Sequence, residues 1–400
     1  MSPEAPESAS GRTKALRHER ILVVDDIDDN RQLLVRRLER EGFHDIALAG
    51  DGEEALNLLR EQSFDLVLLD IMMPKLDGYG VLERLKSEGR LHELPVIVIS
   101  AHNEIDSVVR CIELGALDYL PKPFNATLLR ARVSASLEQK RLRDQVRAHL
   151  ARLEAELDAA RALQMAMVPR DFPAPSAEFP VEIFAMMEPA REVGGDLYDF
   201  FPTPDGRFAF LIGDVSGKGV AAAMFMARTK NLFRLASNMA QSGVSPAEIA
   251  TRVNRELCEG NDTMMFVTLY FGMLDPKTGE LEFCNAGHDP PYRLGKGLPA
   301  LAGGAQGMAL GIDSGWRYET GKLNLARGEA LYFYTDGITE AADISDALFT
   351  QQRLQDVLAR ETGASLDKLI GAVTGAVKTF AGAAPQSDDI TAMAVRLLAK

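Results

Sequence analysis

Leu66-Val67-Leu68-Leu69-Asp70-Ile71-Met72-Met73-Pro74 begins with four apolar residues and breaks on a carboxylate. A short run of this kind reads as a strand buried on both faces. Outward from it the pattern repeats: Ile21 to Val24 ends in Asp25 and Asp26, Val96 to Ile99 ends in Ser100, and Asp118 to Pro121 ends in Lys122. Arg31 to Arg40, after the first of these strands, carries Leu33, Leu34 and Leu38 inward at helical spacing. Strands alternating with helices predict a parallel α/β sheet that ends near Ala135.

In such a sheet the C-terminal strand ends converge on one edge, where ligands bind. Asp25, Asp26 and Asp70 are expected to meet there. Unit charges about 4 Å apart repel by roughly 1 kcal/mol in water and about 4 at an effective dielectric near 20, so the trio calls for a cation. Hard oxygen ligands suit Mg²⁺, which keeps waters and accepts a phosphate oxygen. Ser100 offers a hydroxyl and Lys122 a cation able to pair with a phosphoryl group. Taken singly, each is an ordinary strand-end polar residue or cap; the five in this order point to a phosphoryl site.

The 400 residues suggest two or three domains, and 46% hydrophobic residues suffice for a core in each. With 58 acidic against 44 basic residues the net charge is -14, which repels phosphate backbones and anionic lipid, so neither nucleic acid nor membrane is expected as a partner. Cys111, Cys258 and Cys284 are odd in number and lack paired spacing, which argues against a disulfide framework or a zinc site and for a reducing, cytoplasmic setting. Residues 1–18 read as a disordered tail, and nowhere do about 18 apolar residues run together.

Residues 136–168 read as a helical linker. Lys140 to Met167 holds no Gly or Pro, and Val146, Leu150, Leu153, Leu157, Ala160, Gln164 and Met167 fall at alternating spacings of four and three. This seam fits either a surface helix packed on its own domain or a dimeric coiled coil, and its position between two domains favours the coiled coil and a homodimer. Beyond Pro169 longer strands are predicted at Phe208–Ile212, Met265–Leu274, Leu281–Asn285, Ala330–Tyr334 and Thr391–Leu397, with helices at Val220–Met239 and Pro246–Cys258. Strands and helices in blocks predict a layered α+β domain.

Here too carboxylates end strands beside glycine: Asp196 in Gly194-Gly195-Asp196-Leu197-Tyr198-Asp199, Asp214 in Gly213-Asp214-Val215-Ser216-Gly217-Lys218-Gly219, Asp336 in Tyr334-Thr335-Asp336-Gly337, and the pair Asp388-Asp389. One such aspartate is usually a turn former. Four in the same context suggest a cage for two divalent metals. Gly194-Gly195-Asp196 lacks the acidic and aromatic residues that would follow it in a diguanylate cyclase. Gly217-Lys218-Gly219 lacks the Ser or Thr and the upstream Gly of a phosphate loop, and no Gly-x-Ser-x-Gly elbow accompanies His288.

Residues 20–135 resemble the receiver domain of two-component response regulators. The resemblance implies a flavodoxin-like, five-stranded parallel fold with Asp70 as phosphoacceptor for a sensor histidine kinase. It further implies Mg²⁺ on Asp25, Asp26, Asp70 and the carbonyl of Met72, Ser100 and Tyr119 as switch residues, and a Lys122-Pro123-Phe124 signature with a cis bond before Pro123. A phosphoryl group on Asp70 adds close to two negative charges, which Ser100 and Lys122 reach only by moving inward.

Residues 160–398 resemble the PPM-type metal-dependent serine/threonine phosphatases, in the bacterial branch that includes the sporulation phosphatase SpoIIE and the stress phosphatase RsbU. The motifs above carry the match, together with Asn285-Ala286-Gly287-His288-Asp289-Pro290-Pro291 and Asp388-Asp389-Ile390-Thr391. The resemblance implies a β-sandwich flanked by helices over residues 169–400, after a receiver at 19–135. It implies two Mn²⁺ or Mg²⁺ ions on Asp196, Asp214, the Val215 carbonyl, Asp336 and either Asp388 or Asp389, with Asp388 favoured. Lys218 stands where many relatives carry His. Asn285 and His288 either orient substrate or close a turn. The segment Ala160 to Pro169 resembles the short regulatory helix that precedes this branch. The implied substrate is a phosphoserine protein, an anti-sigma factor antagonist in a partner-switching pathway. The alternative is a non-catalytic adaptor that binds a sigma factor or its regulator through a phosphatase-like domain.

Overall fold

The computed structural model describes residues 17–101, 105–123, 125–176, 179–190, 193–240, 242–304 and 307–398. The expected tail therefore lies outside the described residues up to residue 16, and so does Phe124. Arg17, counted within that tail by its sequence, is docked: its N–H donates to the Gly42 carbonyl at 3.2 Å and its guanidinium lies over Phe43. The chain divides into two compact units, Met1–Arg152 and Leu153–Lys400.

In the first unit β1 (Ile21–Val24), α1 (Asp28–Arg40), β2 (Ile46–Ala49), α2 (Gly52–Glu61), β3 (Leu66–Asp70), α3 (Gly78–Ser87), β4 (Val96–Ser100), α4 (Ile105–Leu114) and β5 (Asp118–Pro121) alternate as expected. The strands form one parallel sheet in the order β2-β1-β3-β4-β5. Residues of β1, β3 and β4 are buried throughout, because helices cover both faces. Alternate residues feed two cores: Leu22, Val24, Val67 and Val98 join one, and Ile21, Val23, Leu68 and Ile97 join the other.

The next helix, α5, runs unbroken from Ala126 to Met167, so the receiver's last helix and the linker are one element rather than two. Nothing in its 42 residues interrupts the backbone ladder, since Gly and Pro are absent. Leu129, Val133 and Leu137 at its start belong to the first unit's core. Val146, Leu150 and Leu153 are 60%, 54% and 42% exposed, and Gln164, a seam position in the sequence, is buried.

The second unit continues with β6 (Val181–Glu188), β7 (Leu197–Pro202), β8 (Phe208–Val215), α6 (Val220–Met239), α7 (Pro246–Cys258), β9 (Val267–Leu274), β10 (Glu280–Ala286), β11 (Tyr292–Leu294), β12 (Ala300–Leu301), β13 (Gly321–Asn324), β14 (Ala330–Tyr334), α8 (Asp336–Thr339), α9 (Thr350–Arg360), α10 (Leu366–Ala381) and β15 (Ile390–Leu397). Two antiparallel five-stranded sheets result, β13-β10-β9-β8-β7 and β12-β11-β14-β15-β6. Phe210, Ile212 and Tyr270 of one meet Phe333, Met393 and Val395 of the other in a shared core. The outer face of the first sheet packs on α6 and α7 through Leu211, Phe233 and Val253, and that of the second on α9 and α10 through Tyr332, Leu354 and Val373. The architecture is a sandwich flanked by helices, as expected. All three cysteines are free.

Candidate functional site

Two carboxylate clusters form, one in each unit. In the receiver, Asp25 leaves β1, Asp70 ends β3, and one oxygen from each of Asp25, Asp26 and Asp70 lies within 4.8 Å of the others. Asp25 and Asp70 are buried while Asp26 is exposed, so the trio opens to solvent on one side. Lys122 spans the buried pair, its Nζ 2.7 Å from Asp25 Oδ2 and 2.6 Å from Asp70 Oδ2. Burial alone would lower the Lys122 pKa; the two carboxylates hold it above its ordinary value. Burial likewise raises the Asp70 carboxyl, with Lys122 opposing it. The remaining oxygens are oriented by N–H donors, from Asn30 Nδ2 and Ile27 N to Asp25 Oδ1 (both 3.0 Å) and from Ile71 N to Asp70 Oδ1 at 2.8 Å.

Ser100, fully buried at the end of β4, accepts through its carbonyl from the Lys122 N–H at 2.8 Å and the Tyr119 hydroxyl at 3.3 Å. Asp25, Asp26, Asp70, Ser100 and Lys122 are therefore at one sheet edge, and the Lys122–Pro123 bond is cis. Met72 lies exposed two residues beyond Asp70. Asn30, whose amide steers Asp25, was not singled out by sequence, because an Asn in the first turn of a helix has many ordinary uses.

In the second unit the cluster centres on Asp214, at the end of β8. Burial raises its pKa to about 7, with the charges of Asp336, Asp388 and Asp389 adding to the effect and a hydrogen bond with Asp196 opposing it. Asp196, fully buried at the entry to β7, is pushed well up by burial and by Asp214 and Asp389, and accepts the Thr335 hydroxyl at 2.8 Å. Asp336, at the start of α8, is raised by burial and by the charges of Glu340 and Asp388. Three carboxylates whose charge is costly, with only oxygen donors around them, suit hard divalent cations. They gather more loosely than the receiver trio: among the described residues no three of them bring oxygens within 4.8 Å of one another.

The adjacent aspartates at the head of β15 have separate tasks. Asp389 is buried and both its oxygens accept backbone N–H groups, Oδ1 from Ala190 at 2.8 Å and Oδ2 from Gly195 at 2.7 Å. It holds the Gly194-Gly195-Asp196 loop so closely that a Cβ on Gly194 would lie 2.0 Å from its Oδ2. Gly337 is pressed on the same residue, a Cβ there meeting the Asp389 carbonyl at 2.0 Å. Asp388 is half-exposed and pairs with Lys218. Val215, whose carbonyl the resemblance assigns to metal, is buried beside Gly195.

Gln164 of α5 lies against the same loop. Its Nε2 donates to the Gly194 carbonyl at 2.6 Å and its Oε1 accepts the Gly194 N–H at 3.0 Å. A polar residue at an apolar seam position was the sequence signal for it. Thr335, beside Asp336 in its motif, has no such signal in the sequence. The Asn285 side chain closes a turn, donating to the His288 carbonyl at 2.9 Å and accepting its N–H at 2.8 Å. His288 is buried with Nδ1 3.2 Å from the Thr268 hydroxyl, and burial lowers its pKa to about 4, the Tyr334 backbone opposing. Asp199, the second aspartate of its motif, turns away to Arg234 (2.8 and 2.9 Å) and Lys230 (3.1 Å) on α6.

Residues 204–398 match the family described as Stage II sporulation protein E (SpoIIE), and residues 21–134 match the response regulator receiver domain. "Protein IcfG" of Synechocystis is 32% identical over 271 residues, 60% of this chain and 41% of that protein. The "Transcriptional regulatory protein CpxR" of Escherichia coli K12 is 46% identical over 127 residues, 32% of this chain and 52% of that protein. The chain thus spans about half the length of these relatives. The solved "SiaA-PP2C domain of Pseudomonas aeruginosa" superposes with a TM-score of 0.55 at 24% identity, covering 62% of this chain and 98% of that one, and shares the fold. Both domain families are generally dependent on divalent metal ions; a receiver domain implies phosphorylation by a kinase, and a PPM phosphatase domain implies a phosphoprotein substrate. No helix among the described residues is long and apolar enough to cross a membrane. The chain is a response regulator that joins a receiver domain to a PPM-type phosphatase domain of the SpoIIE family.

Proposed function

We propose that this chain is a protein serine/threonine phosphatase regulated by phosphorylation of Asp70 by a sensor histidine kinase, and that its substrate is a phosphoserine protein of the anti-sigma factor antagonist class. The observation that carries the reading is the convergence of Asp196, Asp336 and Asp388 on Asp214 from strand ends far apart in the chain. Asp196, Asp214, the Val215 carbonyl, Asp336 and Asp388 would hold two Mn²⁺ or Mg²⁺ ions; Asp389, spent on backbone N–H groups, supports the loop instead. Such ions supply charge neutralisation for the phosphoryl group and acidify the attacking water. Thr335 fixes one Asp196 oxygen, and the Asp389 carboxylate sets the position of the Asp196 backbone.

Gln164 gives the regulation a physical route, because it places the end of α5 on the loop that carries Asp196. Phosphorylation of Asp70 would change how two copies pair along α5, where Val146, Leu150 and Leu153 present apolar surface, and the helix would then shift the loop between metal-poor and metal-competent positions. A coupling of about 1 to 3 kcal/mol, roughly 5- to 150-fold in rate, is ordinary for such a switch. The test is Mn²⁺-dependent hydrolysis of a phosphoserine protein by the parent and by Asp214→Asn, each with and without beryllofluoride. Activity only in the parent supports the enzyme; none in either favours the adaptor. Equal rates and equal oligomeric state with and without beryllofluoride remove the coupling.

A further inference from the structure

Among the described residues, Lys218 is the one cation bonded to any of the carboxylates Asp196, Asp214, Asp336 and Asp388. Its Nζ lies 2.8 Å from Asp388 Oδ2 and 2.7 Å from the Ser387 carbonyl oxygen. The other Asp388 oxygen accepts the Asp389 N–H at 3.0 Å, so Oδ2 is the atom open to a cation, and Lys218 holds it. The pair differs from the ion pairs that build the sandwich. Lys230 is almost wholly buried and Arg234 is held by two bonds to fully buried Asp199, so both are committed to structure. Lys218 and Asp388 are 38% and 42% exposed, and exposed pairs contribute only about 0.2–1 kcal/mol.

A divalent ion on Oδ2 competes with the ammonium for the same oxygen and repels it, and the divalent ion carries twice the charge. The displaced ammonium sits on a flexible stem beside a site whose other charged side chains, among the described residues, are the carboxylates Asp196, Asp214 and Asp336, which repel an anionic phosphoryl group. We propose that Lys218 exchanges partners: it neutralises Asp388 in the metal-free protein and, once a divalent cation takes Asp388, turns to the phosphoryl group of the substrate as a binding residue. This rests on the phosphatase reading above and adds to it a substrate contact and a competitor for metal entry.

The test is calorimetric titration of Mn²⁺ into the full chain, in phosphate-free buffer, for the parent, Lys218→Met and Lys218→Arg. Inorganic phosphate is then titrated into each Mn²⁺-loaded protein. The heat that Asp214→Asn removes identifies the C-terminal site, and circular dichroism confirms folding; Lys218→Gln repeats the test should Met disturb the loop. Lys218→Met is expected to bind Mn²⁺ roughly two- to fivefold more tightly, since it no longer competes. It is expected to bind phosphate about tenfold more weakly, with Lys218→Arg restoring most of that loss. Unchanged or weaker Mn²⁺ binding by Lys218→Met, or phosphate binding equal to the parent's, overturns the exchange and leaves the phosphatase reading standing. A parent with no Mn²⁺ heat sensitive to Asp214→Asn overturns both.

Discussion

Replacing Gln164 by Leu tests whether α5 and the Asp196 loop are one mechanical unit. The side chain is buried, and both polar ends of its amide bond to the backbone of Gly194. Leu fills similar space but leaves the Gly194 N–H and carbonyl without partners, and each buried orphan costs about 1–3 kcal/mol. Asp389 still grips Gly195 at 2.7 Å, so the loop relaxes only partly and the net cost belongs at the low end, about 2 kcal/mol for the two groups together. For a domain of this size that is a fall of about 4–8 °C in the melting temperature. The assay is a thermal scan of the full chain, the phosphatase transition being the one that Mn²⁺ raises. Mn²⁺ binding should weaken along with it, because Asp196 is two residues from the loosened glycine. Gln164→Glu keeps the acceptor but buries a carboxylate against the Gly194 carbonyl, so near neutral pH it should destabilise at least as much as Leu. A Leu variant that melts within about 1 °C of the parent and binds Mn²⁺ equally well would refute the reasoning.

Three further outcomes follow from the same geometry. The folded His288 accepts a proton only near pH 4, whereas the unfolded residue does so near 6.5; its stabilising contribution is therefore full above pH 6.5 and drains as pH falls toward 4, by about 3 kcal/mol in total. Urea unfolding at pH 7 and pH 5 should show a steeper loss in the parent than in His288→Gln, and equal losses would mean the buried imidazole is not held neutral. Asp199→Ala strands the Lys230 and Arg234 cations, a change expected to cost about 3–5 kcal/mol in thermal or denaturant unfolding; a loss under about 1 kcal/mol would contradict the ion-pair anchor. Asp388→Asn should abolish Mn²⁺ heat at the C-terminal site with little change in stability, while Asp389→Ala should lower the melting temperature, and the reverse pattern would exchange their roles.

The receiver was almost wholly legible in its sequence because a parallel sheet turns a linear fact into a spatial one: whatever follows the apolar run of each strand arrives at the same edge. Asp25, Asp70, Ser100 and Lys122 needed no more than that. The limits of β8 and β9 were less legible. β8 runs on through Gly213, Asp214 and Val215, where the glycine and the charge had suggested a turn, because Asp214 pairs in register with Thr268 of its neighbour. β9 begins at Val267 rather than Met265, since Asn261 draws the Met265 backbone into a turn. The junction of α5 was hidden for a different reason. A change of texture near Ala135 marks where burial on the receiver stops, and hydrogen bonding within a helix is indifferent to what lies outside it.

What sequence could not assign was which member of a carboxylate pair works. Asp388 lies at a bend before β15 and Asp196 just before β7, so neither pair lies wholly within a strand whose alternation would assign one member to the cluster. The choice within each pair depends on what waits on the other side. Asp199 meets Lys230 and Arg234, one helical turn apart on α6, and is drawn into an ion pair; Asp389 meets the N–H groups of Ala190 and Gly195, in a loop whose Gly194 and Gly195 leave no room for a Cβ. The partners lie far away in sequence, and in the second case they are backbone atoms that no residue type advertises. Burying a second carboxylate beside the cluster is tolerable only because those donors satisfy it, and the same donors remove it from competition for a cation. In each motif one aspartate is spent on the scaffold, Asp199 on α6 and Asp389 on the Asp196 loop, and under the proposed reading the other is left for the metal ions.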